Sequence, residues 1–179
     1  MDLIVTKWIA MEGAVILERD FGDELGRRFP RAMMDEIRKL RPMLDAEADA
    51  RAAASFGAAD VQPMAEGGIF TALWKLAERA QAGLEVDLRR IPVKQEIIEI
   101  CEYFDLNPYN MLSGGSLLIC VSDGLEMVSR LEGQKIPATL IGRTTHGNDR
   151  MIRNQEHARY LDRPQREELY RLYKEGWKR

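Results

Sequence analysis

An α/β (α+β) fold, a mixed sheet covered by helices mainly on one side, is what this sequence of 179 residues predicts. The expectation rests on three observations. Short β-branched or apolar runs, as at 2–9 and 116–121, alternate with longer stretches whose apolar residues follow the 3.6-residue helical period. Strand-like and helix-like segments are interleaved rather than grouped, the pattern of helices packed on a sheet. Glycine pairs, Gly67-Gly68 and Gly114-Gly115, stand at two of the junctions, and nothing in the chain repeats.

The elements follow in order. Residues 2–9, DLIVTKWI, are apolar and β-branched almost from the start and read as a strand. Residues 12–29 carry a helical stripe of Ala14, Val15, Leu17, Phe21, Leu25 and Phe29, weakened late by Gly22 and Gly26. Pro30 suits the first turn of a helix over 31–41, which Pro42 ends. Residues 46–56 are alanine-rich and helical, with Gly57 as a C-terminal stop. A strand end over 61–64 leads through Gly67-Gly68 into a helix striped by Ile69, Phe70, Leu73, Trp74, Leu76 and Ala77. Residues 84–88 alternate like a half-buried strand. Pro92 opens a helix over 93–104, and Asn107-Pro108-Tyr109 starts a short turn or helix. A central strand over 116–121, a helix over 123–131, a strand over 138–144 and a last strand near 151–153 complete the domain. From Pro164 the run QREELYRLYKEGWKR reads as a charged amphipathic helix, dividing the chain into a domain over 1–155 and a helical tail over 156–179.

Composition narrows the function classes. With 45% hydrophobic and 31% charged residues the chain is an ordinary globular sequence that can bury a core. A net charge of −3 and a pI near 5.6 argue against a nucleic-acid partner. No membrane span and no signal peptide are expected, which assigns the protein to the cytoplasm. Cys101 and Cys120 fall in apolar-periodic segments and read as reduced, buried thiols.

The inventory of catalytic side chains is thin, and no catalytic residue is identified. His146 and His157 are the only histidines, and neither has a partner at ligand spacing, so no metal site is expected. No nucleophile elbow and no Walker-type loop occur. Glu66 beside Gly67 is either a functional carboxylate or a first-turn acid favoured by the helix dipole. The aromatic residues Trp8, Phe70, Trp74, Tyr103 and Phe104 read as core. A strand, two glycines and a helix start can point backbone N–H groups at an anion, or can simply form a tight turn. The residues alone leave both readings open.

A resemblance adds to this. The stretches DLIVTKWIAMEGAVIL, DVQPMAEGGIFTALWKLAE, LEVDLRRIPVKQEIIEICEYFDLNPYNMLSGGSLLICV and IPATLIGRTTHGNDRMI resemble, in order and spacing, the C-terminal domain of the AIR synthase-related superfamily. That superfamily includes aminoimidazole ribonucleotide synthase, selenophosphate synthetase, thiamine monophosphate kinase and hydrogenase maturation factors of the HypE type. The resemblance implies an ATP-dependent ligase, kinase or synthase whose glycine turns face a cleft between two domains. Glu66, Gly67, Gly68, Gly114, Gly115 and Ser116 would then bind a nucleotide phosphate or a phosphate-containing small molecule. ATP and Mg2+ are implied for the full-length family, with no cofactor held by this domain alone. Three departures stand out. Gln62-Pro63 takes the place of a His-Asp pair found in maturation factors, and the chain ends KEGWKR without their C-terminal cysteine. The sequence also opens where the C-terminal domain should start, so an ATP-binding N-terminal half, or a second copy of the chain, is the expected partner. Its docking surface is expected around Trp8, Met11 and the first helix. The alternative is a binding or regulatory module that keeps the fold without catalysis.

Overall fold

The computed structural model describes residues 1–173. Seven strands form one mixed sheet: β1 (Asp2–Thr6), β2 (Asp60–Pro63), β3 (Gly83–Asp87), β4 (Leu117–Val121), β5 (Ala138–Thr145), β6 (Arg150–Asn154) and β7 (His157–Tyr160), in the order β2-β4-β1-β5-β3-β6-β7. All neighbours are antiparallel except β3 and β6, which run parallel. The α-helices are α1 (Met11–Arg28), α2 (Arg31–Arg38), α3 (Glu47–Ser55), α4 (Gly68–Ala80), α5 (Gln95–Tyr103) and α6 (Gly124–Gly133).

Burial explains the run-like strands at the centre. Every residue of β4 is buried. Leu118 and Cys120 join Leu3 and Val5 of β1 in the main core, beneath apolar residues of α1, α2, α4 and α5. Leu117, Ile119 and Val121 join Ile4 on the opposite face, under Ala52 and Ala53 of α3 and Met127 and Leu131 of α6. With both faces covered, an unbroken apolar run replaces polar alternation. Four helices against two makes the covering mainly one-sided, as the sequence implies.

Two segments differ from the expectation. The sheet runs on through β7, whose residues HARY are all exposed and which pairs with β6 alone. An exposed edge strand, tied to the rest by its ladder to β6 and by Arg159 over the Phe70 ring, leaves no apolar alternation to read. Between 164 and 173 there is no amphipathic α-helix; Glu168–Arg171 forms a single 3-10 turn. Leu161 and Leu169 are buried in the main core, and those anchors override a weak local helical preference. The rest of the expected tail helix, 174–179, lies outside the described residues.

Topology gathers the loops of interest. Because β4 is antiparallel to both β1 and β2, the ends of β1 and β2 and the start of β4 meet at one end of the sheet. The Thr6 hydroxyl accepts a bond from the Leu117 N–H at 3.0 Å there.

Candidate functional site

Gly67 and Gly68 both have positive φ, 80° and 60°, a region open to glycine and strained for other residues. A Cβ on Gly68 would lie 2.9 Å from the Met111 carbonyl oxygen and closer still to that of Tyr109. The pair therefore starts α4 while its backbone presses against the turn at Pro108–Asn110. On the other side, a Cβ on Gly67 would strike the Thr71 hydroxyl. That hydroxyl is buried and has no hydrogen-bond partner among the described residues.

An anion already sits at this turn, and it belongs to the chain. The Gly67 N–H donates to Glu167 Oε2 at 2.8 Å, and the Leu112 N–H donates to Oε1 at 2.9 Å. Leu169 N–H adds a longer bond to Oε1, at 3.3 Å. Glu167 is only 2% exposed, and no ion pair reaches it among the described residues. Burial pushes its carboxyl above the ordinary glutamate range, a shift that the three N–H donors reduce and the nearby Glu66 adds to.

The second glycine turn lies at the same end of the sheet. Ser113 N–H donates to the Ala65 carbonyl at 3.4 Å, and Met64 N–H to that of Ser116 at 3.0 Å. Gly115, at φ 90°, allows contact with the turn at Arg41–Leu44: a Cβ would lie 2.7 Å from Leu44 Cα. Gly114 leaves room for the Glu12 carboxyl, whose Cδ would be 2.9 Å from such a Cβ. The buried Ser116 hydroxyl donates to the Trp8 carbonyl at 2.5 Å. These three residues pack against their own chain. Glu66 is exposed and accepts a bond from the Tyr170 hydroxyl at 3.0 Å. Beside them Lys7 is buried, donating to the carbonyls of Met43 and Asp45 at 3.0 and 2.9 Å and pairing with Asp49 at 2.7 Å.

The structure thus brings all six sequence-predicted residues to one end of the sheet, with Gly67 and Gly68 alone at a helix start. Sequence reasoning missed Glu167, Leu112, Thr71 and Glu12. Glu167 stands in a run of polar residues, and nothing local signals its burial. His146 and His157 are exposed. Among the described residues no group of three or more His, Cys, Asp or Glu side chains is placed to hold a metal ion. Gln62, in place of the His-Asp pair, accepts a bond from Arg79 at 2.6 Å.

The family model "AIR synthase related protein, C-terminal domain" matches residues 2–153. The chain belongs to this family. Among curated relatives of the AIR synthase-related domain, the carbamoyl dehydratase HypE of Rhizobium leguminosarum bv. viciae is 34% identical over 56 residues, 31% of this chain and 16% of that protein. Among solved structures, E. coli HypE superposes with a TM-score of 0.72 at 22% identity, covering 96% of this chain and 52% of that one. A HypE structure in complex with ATP gives 0.66 at 15% identity over 92% of this chain and 51% of the other. At these identities the superpositions establish the fold, and this AIR synthase-related chain spans about half the length of the solved relatives.

Of the surface expected around Trp8, Met11 and the first helix, Met11 is withdrawn into the core while Trp8 stays partly exposed. Met11 is fully buried because α1 lies against the sheet, and the Lys94 ammonium stands 4.6 Å over the Trp8 ring. No helix among the described residues is long and apolar enough to cross a membrane.

Proposed function

We propose that this domain forms one wall of the cleft of an ATP-dependent AIR synthase-related protein, where the Gly67-Gly68 turn holds an anionic group of the substrate or nucleotide. The observation that carries the reading is the meeting of two glycine turns at one end of the sheet, with the start of α4 directed into that end. Helix N-termini attract anions because their first N–H groups lack intrahelical acceptors. The HypE structure with ATP supports nucleotide chemistry for the fold. In this reading the metal and most nucleotide contacts come from the opposite wall of the cleft. That wall is a further domain, a partner or a second copy of the chain.

A helix terminus adds only about 0.3–1 kcal/mol for an exposed anion, so the affinity of this wall alone is no tighter than about millimolar. An amide-shift titration of the chain with phosphate and with ATP tests the reading. Movement confined to residues 66–70 and 112–116 is expected; scattered or absent shifts contradict it. The chain alone is expected to release no phosphate from ATP above the buffer blank, since phosphoryl transfer needs metal-bound phosphates and positioned cations.

A second reading, a binding or regulatory module, is favoured by one observation. Gln62-Pro63 offers no titratable group, and Gln62 is tied to Arg79. Turnover on adding a nucleotide-binding half separates the readings, since only the first predicts it.

A further inference from the structure

The Glu167 carboxylate and a phosphate oxygen would compete for the same donors. We propose that the Gly67 and Leu112 amides, with the Thr71 hydroxyl, form an oxyanion site that the chain's own Glu167 closes, so that a phosphate group enters only by displacing the segment around it. The inference deepens the glycine-turn reading and rests on it.

The donors come from separate parts of the chain, the start of α4 and the turn before β4, and they converge on one carboxylate. Thr71 points to a different ligand. Its hydroxyl is buried, lies against Gly67 and has no partner among the described residues, which carboxylate binding leaves unsatisfied. A carboxylate has two oxygens, and both are already engaged by amides. A tetrahedral oxyanion brings further oxygens, one of which can reach the hydroxyl. The N–H groups of Ile69 and Phe70, also in the first turn of α4, have no acceptor among the described residues.

The closure is also of a kind that can be exchanged. Glu167 is buried without a cation among the described residues, a costly state for a carboxylate that only its three N–H donors offset. The stretch 161–167 has no regular secondary structure. Its ends are anchored in the core by Leu161 and Leu169, and beyond them Arg171 on Asp105 at 2.9 Å and Tyr173 on Asp20 at 2.6 Å are exposed contacts, so the carboxylate moves between two fixed points. An open cleft of about 380 Å3, lined by Asn110, Gln165, Arg166 and Tyr170 among others, borders the carboxylate and offers a way in.

Inorganic phosphate is the probe, and amide shifts of Gly67, Ile69 and Leu112 are the readout, in the wild type and in Glu167→Ala. Removing the internal competitor should tighten phosphate binding about tenfold or more, because an anion no longer has to open the site first. Thr71→Val in the Glu167→Ala background should weaken it again. In the wild type, saturating phosphate should remove the hydrogen-exchange protection of the Leu169 amide. Equal binding by wild type and Glu167→Ala at these amides would overturn the closure while leaving the glycine-turn site standing. Binding by neither would remove the site and the closure together. Should Glu167→Ala not fold, Glu167→Gln, which keeps an acceptor and loses the charge, takes its place. Phosphate bound to the wild type with Leu169 still protected also overturns the proposal.

Discussion

Gly68 is the residue where conformation and packing coincide. Its φ is +60°, and a side chain there would meet two backbone carbonyl oxygens that have little freedom to move. Gly68→Ala should therefore cost about 2 kcal/mol or more, read by chemical denaturation, whereas Gly26→Ala, with open space around it, should cost nothing or stabilise α1. The buried thiol of Cys101 gives a second prediction at this scale. Burial, with Glu168 and Glu102 nearby, pushes it up to about 12, so a thiol reagent at pH 8 should leave it unmodified until the protein unfolds. The two glycine pairs were visible as candidates in the sequence because positive φ, found at Gly67, Gly68 and Gly115, and close approach to the backbone, found at Gly114, share glycine as their residue signature. Glu167 was not, because a buried glutamate and a solvated one are written alike, and the partners that bury it lie 100 and 55 residues away.

Elements with a strong period were legible, and their reasons are physical. The strand at β4 and the helix at α4 each bury most of their residues, so the apolar pattern reports the packing directly. β7 buries none of its residues, and the 3-10 turn at Glu168–Arg171 is placed by a single buried leucine, Leu169, so neither carries a period. Truncating that anchor, Leu169→Ala, should cost about 2–5 kcal/mol on the scale of buried leucines, and should release the segment that carries Glu167. The turn at Arg41–Leu44 and the start of α3 hang on Lys7, whose ammonium joins two carbonyls and Asp49 out of solvent. Asp49→Ala leaves that charge without its counter-ion and should destabilise by about 3–5 kcal/mol. Replacing both partners by apolar residues should cost much less, and the difference between the two in denaturant midpoints checks the ion pair itself.

At the scale of the molecule, the chain's late residues return to the end of the sheet where β1, β2 and β4 converge, and the account depends on that return. The family assignment was legible from four motif stretches in order, because the turns and strand ends of the fold carry residue preferences of their own. The closure of the glycine turn was not, since it is a meeting of three distant points in the chain. It is tested most directly by following the amide protons of Gly67 and Leu112 while pH is varied. Burial raises the Glu167 carboxyl above its ordinary value of about 4.5, so the folded chain binds that proton more readily than the unfolded one. The stability from this proton linkage is fully present below about pH 4.5 and is lost as pH rises through the higher folded value. If the carboxylate sits on both N–H groups, the two amides should shift together along one titration curve whose midpoint lies above 4.5, and both shifts should vanish in Glu167→Gln. Two amides that titrate separately, or not at all, would contradict the account.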